Sequence, residues 1–213
     1  MKLHKALLLF LVALHASASS AHAATLACFD ANGQGGPTNT GFTAITSTTV
    51  NVQNGVNLAI SSLGNASNRN RGGDDAPIDG RPDEAMLQDF FFVPGTLTLT
   101  LTGLAANQSY DVTIYTYDAE FNTGASSWYQ DSIDPGNLLG SITVNTSNPD
   151  LSQLTTSLTS SATGEIVIVG EDLPGSANGI KFNGIEVAAI PEPSSAFIGS
   201  FGLLALLIRR RRS

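Results

Sequence analysis

Residues 97–118 read LTLTLTGLAANQSYDVTIYTYD. In residues 97–102 leucine alternates with threonine, which is the period of a strand that is buried on one face. Residues 103–108 contain Gly and Asn and predict a turn. Tyr110, Val112 and Ile114 then alternate with more polar residues, and this pattern indicates a second strand. The stretch therefore predicts two short strands joined by a turn, each with one apolar face.

Similar short apolar segments lie on both sides of this stretch. Thr, Ser, Asn and Gly dominate the sequence between them, as is typical of turns, and residues 83–88 predict one helical turn after Pro82. Short strands at this spacing are typical of sandwiches and barrels. We therefore predict an all-β fold with a single β-sandwich domain, jelly-roll-like. The further predicted strands are 25–30, 42–45, 50–60, 90–93, 140–145, 154–158, 165–169, 180–182 and 185–189.

The first residues have the organisation of a secretory signal peptide. Lys2 and Lys5 precede an apolar run at residues 6–14, and small residues follow from 16 to 24. A basic start, a short apolar middle and a small-residue exit are the three parts of such a signal. The Ala21-His22-Ala23 sequence predicts cleavage after Ala23, so residues 1–23 are predicted to form a signal helix that is removed.

The last residues predict a second, short apolar helix. Pro191, Glu192 and Pro193 precede an apolar run at residues 196–208. As a helix this run would be about 20 Å long, against about 30 Å for the hydrocarbon core of a bilayer, which suits a transient span. A basic cluster follows, and by the positive-inside rule it would hold this end in the cytoplasm. The cluster consists of Arg209, Arg210, Arg211 and Arg212.

This combination of a Pro-Glu-Pro motif, a short apolar helix and terminal arginines resembles the PEP-CTERM sorting signal. The resemblance implies that residues 191–213 are recognised by exosortase, a membrane-embedded cysteine transpeptidase, and that the chain is cut near Pro191-Glu192-Pro193. It also implies a Gram-negative bacterium that makes exopolysaccharide, transient anchoring in the inner membrane, and final delivery to the outer surface or extracellular matrix. An ordinary C-terminal anchor that is never cut is the alternative.

The charge of residues 24–190 excludes one class of partner. Six of the ten basic residues lie in the two ends, which leaves four basic residues against 17 of the 18 acidic ones. Nucleic-acid binding requires clustered Lys and Arg to contact phosphates. We therefore expect no nucleic-acid partner for this domain.

The histidines narrow the possible chemistry. All three, His4, His15 and His22, lie in the predicted signal peptide. Ser-His-Asp and Cys-His catalysis and histidine metal ligands are therefore excluded from residues 24–190. Carboxylate chemistry, such as glycoside hydrolysis by two acids, stays open, but no motif supports it. We predict a protein that is not an enzyme and that needs no cofactor.

Several strings in the body also resemble known modules. They are Phe29-Asp30, residues 41–43 (GFT), residues 70–72 (NRG), residues 97–118 and residues 183–187 (NGIEV). Together they resemble the bodies of other PEP-CTERM proteins and, more distantly, malectin-like and galactose-binding-like carbohydrate modules. The resemblance implies a β-sandwich and a possible carbohydrate ligand.

Aromatic residues late in the predicted sheet are the candidates for sugar binding, which uses aromatic faces together with hydrogen-bonding side chains. Tyr115 and Tyr117 are predicted to share one strand face, and Trp128 and Tyr129 follow in the next loop. A stacking platform at these four residues is one interpretation. The other is that Trp128 and Tyr129 cover a sheet edge.

A calcium site and an ice-binding face are lesser possibilities. Asp74, Asp75 and Asp79 lie in a Gly- and Pro-containing loop that could bind Ca²⁺. Their spacing fits no EF-hand, so a solvated acidic loop is the alternative. The alternating threonines of residues 98–102 resemble an ice-binding strand, but such a face needs the motif repeated at a fixed period.

The sequence therefore favours a secreted, exosortase-sorted, non-enzymatic surface or matrix protein associated with exopolysaccharide. Its role would be carbohydrate binding or purely structural. A carboxylate-dependent glycan-active enzyme is the main alternative, and an ice-binding protein is the lesser one.

Overall fold

The computed structural model describes residues 23–32, 35–45, 50–61, 67–71, 78, 80–120, 124–173 and 179–191. Residues 24–190 form one compact unit. The predicted signal peptide lies outside the described residues except for Ala23, and the predicted sorting tail lies outside them except for Pro191. The predicted calcium ligands Asp74, Asp75 and Asp79 also lie outside them. Within the described residues no helix has the length and apolar character to cross a bilayer.

The described part of the chain is built almost entirely from strands. One short helix, α1, spans Glu84–Gln88, and two 3₁₀ turns span Pro135–Asn137 and Pro149–Leu151. The strands in chain order are β1 Ala24–Asp30, β2 Thr43–Ala44, β3 Asn51–Gln53, β4 Val56–Ser61, β5 Ser67–Asn70, β6 Asp89–Val93, β7 Thr96–Thr102, β8 Ser109–Tyr115, β9 Ala125–Gln130, β10 Leu138–Thr143, β11 Gln153–Thr159, β12 Ile166–Asp172, β13 Ile180–Phe182 and β14 Gly184–Ala189.

These strands form two large sheets and one small sheet. The first large sheet has the order β11-β8-β14-β1-β2 and is antiparallel except for the β1–β2 pair. The second has the order β10-β9-β12-β7-β4-β3 and is antiparallel throughout. The small antiparallel sheet has the order β13-β6-β5. We call them the five-stranded, six-stranded and three-stranded sheets.

The core lies between the two large sheets. Leu97, Leu99 and Leu101 of β7 are fully buried, and they belong to the same apolar cluster as Val112 and Ile114 of β8. Since β7 belongs to the six-stranded sheet and β8 to the five-stranded one, the alternating leucines and the following strand supply the two sides of one core. Burying each such side chain contributes about 2 kcal/mol. The predicted all-β sandwich is confirmed.

Two of the predicted segments differ from the strands in the structure. Residues 50–60 form a hairpin of β3 and β4, because Asn54 and Gly55 both have positive φ angles (52° and 84°) and turn the chain back. Residues 125–130, which were predicted to be a loop, form strand β9. The second error places Trp128 inside the sandwich.

Candidate functional site

Several charged and polar side chains lie together at one end of the sandwich. In the five-stranded sheet Asp30 pairs with Gly184, Gly184 with Tyr115, and Tyr115 with Gln153, so four strands begin or end side by side. In the six-stranded sheet β9 begins where β10 ends. The connections from β8 to β9 and from β10 to β11 therefore cross between the sheets at this end. We call it the loop end.

Arg71 is tied to the β8–β9 connection by two carboxylates. Its Nε and Nη2 donate to the two carboxylate oxygens of Asp118 at 3.1 and 3.2 Å, and its Nη1 lies 2.6 Å from Glu120. The guanidinium carbon lies 5.4 Å from the centroid of the Phe90 ring. Because the Asp118 side chain is almost fully buried, removing Arg71 would leave a buried carboxylate without this compensation. Arg71 therefore positions the connection.

A second arginine joins α1 to the β10–β11 connection. Arg81 donates to both carboxylate oxygens of Asp83, at 2.8 and 3.0 Å, and to Asp150 at 2.7 Å. Asp83 immediately precedes α1, and Asp150 lies in the second 3₁₀ turn. These groups are partly exposed, so they are available to a ligand as well as to each other.

Asn183 connects three segments at the loop end through hydrogen bonds of its side chain. Its Nδ2 donates to the Asp89 carbonyl at 2.9 Å and approaches the carbonyls of Met86 and Leu87 at 3.4 Å. Its Oδ1 accepts from the Tyr117 backbone N–H at 2.5 Å. The side chain is fully buried. One amide therefore connects α1, β6 and the start of the β8–β9 connection to the β13–β14 junction.

Tyr115 is the partly exposed aromatic residue at the loop end. It is half-buried, and its hydroxyl donates to Glu186 Oε2 at 3.3 Å. Burial, followed by the charges of Glu186 and Asp83, raises the pKa of Tyr115, so the ring stays neutral. Phe42 is also half-buried and packs on the same small apolar cluster beside α1. We call Tyr115, Phe42 and Glu186, together with the Arg81 ion-pair group, the Tyr115 patch. The patch consists of Phe42, Arg81, Asp83, Tyr115, Asp150 and Glu186.

Two of the four predicted sugar-binding aromatics are not on the surface, which corrects the predicted platform. Trp128 is 0% exposed, and its Nε1 donates to Ser126 Oγ at 3.0 Å inside the core. Tyr117 is also 0% exposed, and its hydroxyl donates to the Thr146 carbonyl at 3.1 Å. The strand ends at Tyr115, so Tyr117 does not continue its face. Neither ring can stack on a ligand in this arrangement.

Tyr129 lies on the outer face of the other large sheet. It pairs with Leu138 and Val169 across its neighbouring strands and is half-buried. Its hydroxyl donates to Glu171 Oε2 at 3.2 Å. Tyr115 and Tyr129 are thus two half-buried tyrosines on different sheets, each bonded to a glutamate. The fold does not bring the four predicted aromatics together.

Among the described residues, no group of three or more His, Cys, Asp and Glu side chains is arranged to hold a metal ion. Sequence reasoning did not pair Asp118 with Arg71 or Asn183 with its bonding partners, because these partners lie 47 and up to 97 residues away in the chain. The NGIEV string at residues 183–187 was the one available signal for Asn183.

Comparison with known proteins identifies the fold. No family model matches the chain. No curated protein matches it significantly. The crystal structure of the ANX2 ectodomain from Arabidopsis thaliana has a TM-score of 0.53 at 11% identity, over 79% of this chain and 50% of that chain. The chain thus spans about half the length of that ectodomain.

Two further solved structures are similar. A second structure of the plant receptor-like kinase ANX2 has a TM-score of 0.52 at 11% identity, over 79% of this chain and 49% of that chain. A family 35 carbohydrate-binding module from Clostridium thermocellum has a TM-score of 0.35 at 13% identity, over 62% of this chain and 98% of that module. The ANX2 structures support the β-sandwich that the sequence resemblance implied. The sorting signal at residues 191–213 stays a prediction.

Proposed function

We propose that this protein is an exported, non-enzymatic carbohydrate-binding protein that associates with extracellular polysaccharide. The observation that carries the proposal is the Tyr115 patch, where a half-exposed aromatic ring lies among planar charged side chains. Sugars present apolar C–H faces and rings of hydroxyls, so their sites combine an aromatic surface with carboxylates and guanidinium groups. The patch offers both, and Arg81 holds its carboxylates in position.

Catalysis on a polysaccharide is the weaker alternative. A glycosidase needs two carboxyl groups that both reach the glycosidic bond. Among the carboxyl groups described, Asp30 and Asp89 are the best candidates for such a pair. Burial raises the pKa of Asp30 to about 6. Burial, followed by the charge of Asp30, raises the pKa of Asp89 to about 8. Both side chains are 0% exposed. A polysaccharide chain therefore does not reach them in this structure.

The proposed route to the surface follows from the two ends of the chain. Signal peptidase would cut after Ala23, and the tail would hold the protein briefly in the inner membrane. Exosortase would then cut near Pro191-Glu192-Pro193 and release the β-sandwich to the outer surface or matrix of a Gram-negative-type bacterium. The excess of acidic residues suits an extracellular location and disfavours nucleic acid.

Replacing Glu192 with Ala is expected to block the second cleavage. The native host should then accumulate a membrane-held precursor, heavier than the mature protein by the mass of the tail. Mass spectrometry of membrane and extracellular fractions measures this directly, with Ser195→Ala as a control outside the motif. A Glu192→Ala chain that matures with unchanged mass and location would refute sorting through the motif.

Carbohydrate binding is tested with the purified full-length chain and the exopolysaccharide of the bacterium that produces it. Titration calorimetry should give a saturable signal for the wild type. Tyr115→Ala should weaken binding about tenfold, since it removes the aromatic contact while leaving the apolar cluster between the two large sheets intact. Unchanged unfolding temperature in the variant would show that the loss comes from the surface.

Tyr129→Ala is the matched control. It removes the other half-buried tyrosine, which is also bonded to a glutamate, from the opposite sheet. We expect it to bind like the wild type. Loss in Tyr129→Ala alone would move the site to the six-stranded sheet, and no saturable binding by the wild type would leave a structural surface protein.

A further inference from the structure

Asp30 and Asp89 are buried beneath the loop end, and most of their carboxylate oxygens accept no hydrogen bond from the described part of the chain. Asp30 ends β1 and Asp89 begins β6, and both side chains are 0% exposed. Among the residues that the structure describes, none donates a hydrogen bond to either carboxylate oxygen of Asp89 or to Oδ1 of Asp30. Asp30 pairs with Gly184, and the Asp89 carbonyl accepts from the side chain of the neighbouring Asn183, so the two aspartates lie on adjoining segments. Burial, followed by the charge of Asp30, raises the pKa of Asp89.

The chain around the pair is held tightly. Asp30 Oδ2 accepts from the Asn39 backbone N–H at 2.7 Å. Asn32 Nδ2 donates to the Gly36 carbonyl at 2.5 Å and to Thr38 Oγ1 at 2.8 Å, so the chain just after β1 is bonded to residues 36 and 38. A side-chain carbon at Gly36 would lie 2.0 Å from Asp89 Oδ2, so a larger residue at this position would displace the Asp89 carboxylate.

Burying the two carboxyl groups in the ionised form without partners is energetically unfavourable. Unpaired buried carboxylates are among the most unfavourable groups in a protein interior, and native structures neutralise them with a partner, a proton or a metal. A single shared proton would form one hydrogen bond between two of the three unpartnered oxygens, and the third would stay unpartnered. A cation can contact all three.

We propose that Asp30 and Asp89 bind a calcium ion. The two carboxylates lie where β1 ends and β6 begins; they supply hard oxygen ligands, and their combined charge matches a divalent cation. Ca²⁺ takes six to eight oxygens, with carbonyls and water completing the set. Ligands from separate strands suit its flexible geometry better than the strict octahedron of Mg²⁺. This site is distinct from the predicted one at Asp74, Asp75 and Asp79.

The ion would fasten the loop after β1 to β6. This loop leads to Phe42 of the Tyr115 patch, so calcium would stabilise the surface without touching a ligand there. The inference does not depend on carbohydrate binding, because it concerns the folded chain alone. Its failure would leave the proposed function untouched.

The test uses CaCl₂ and the full-length chain after treatment with EDTA. Titration calorimetry should show one saturable Ca²⁺ per chain, and millimolar CaCl₂ should raise the Tm by roughly 5 °C. Absence of both effects in the wild type would overturn the proposal.

Asp30→Asn and Asp89→Asn are each expected to abolish the calcium heat and the calcium-dependent rise in Tm. Both variants remove a buried charge, so without calcium their Tm should equal or exceed that of the wild type. Asp131→Asn, at an exposed position after β9, should bind calcium as the wild type does. Calcium binding that persists in Asp89→Asn would overturn the assignment.

Hydrogen exchange on the wild type gives a second measurement that requires no variant. Calcium should slow exchange in peptides that contain residues 29–39 and 89–93. Protection confined to other parts of the chain would place the ion elsewhere and overturn the proposed ligands.

Discussion

Replacing Trp128 with alanine is expected to lower the free energy of unfolding by about 4 kcal/mol, which is typical for a buried tryptophan. The ring is fully buried in the cluster between the two large sheets. It packs so closely on Gly170 that a side-chain carbon there would lie 2.8 Å from Trp128 Cζ3. The cavity left by the ring would be bounded by strands on both sides, so it could close only partly.

Urea unfolding followed by circular dichroism measures this loss without relying on tryptophan fluorescence. Trp128→Phe is the matched variant, because it keeps an aromatic ring and removes only the bond from Nε1 to Ser126 Oγ. Trp128→Phe should lower the free energy of unfolding by less than half as much as Trp128→Ala, and it should bind polysaccharide like the wild type. A Trp128→Ala chain of normal stability that has lost polysaccharide binding would contradict the buried position and restore the ring as a surface platform.

The position of Trp128 shows why the sequence misled at this point. Residues 125–130 read ASSWYQ, and the serines made the segment resemble a loop. In the structure Ser126 is buried beside Trp128 and accepts its N–H. A small polar residue can face a core when its hydroxyl has a partner there, and the partner is visible only in three dimensions.

The strands within residues 97–118 could be predicted because their pattern depends only on neighbouring residues in the sequence. Alternation with period two identifies both strands and their buried faces, whatever the rest of the chain does. The Asn54-Gly55 hairpin was equally local, since this dipeptide between apolar residues is a strong hairpin signal, and the sequence interpretation overlooked it.

The loop end could not be predicted in the same way. Asp30 and Asp89 carry no motif, and nothing in their neighbouring residues indicates that they meet. Arg71 and Asp118 lie 47 residues apart, and their pairing depends on where the β8–β9 connection crosses the sandwich. Tyr115 was identified as a candidate from its aromatic ring and its predicted strand face, whereas its neighbours in the patch are visible only in the folded structure.

Replacing Asn183 with alanine is expected to lower the free energy of unfolding by about 4 kcal/mol as well. The change leaves the Tyr117 N–H and the Asp89 carbonyl buried without their partner, and each unsatisfied buried group costs about 1–3 kcal/mol. The carbonyls of Met86 and Leu87 lose a weaker contact. Because the amide connects α1 and the β8–β9 connection, which flank Tyr115, the variant should also bind polysaccharide more weakly.

Asn183→Asp separates the hydrogen-bond network from the packing, since it keeps the size of the side chain. It retains an acceptor for the Tyr117 N–H but presents a second acceptor to the Asp89 carbonyl, where the amide had donated. It also adds a buried carboxyl group. Urea unfolding should therefore show a loss at least as large as in Asn183→Ala, and hydrogen exchange should be fastest at α1 and residues 116–120. An Asn183→Asp chain as stable as the wild type would mean that the side chain only fills space.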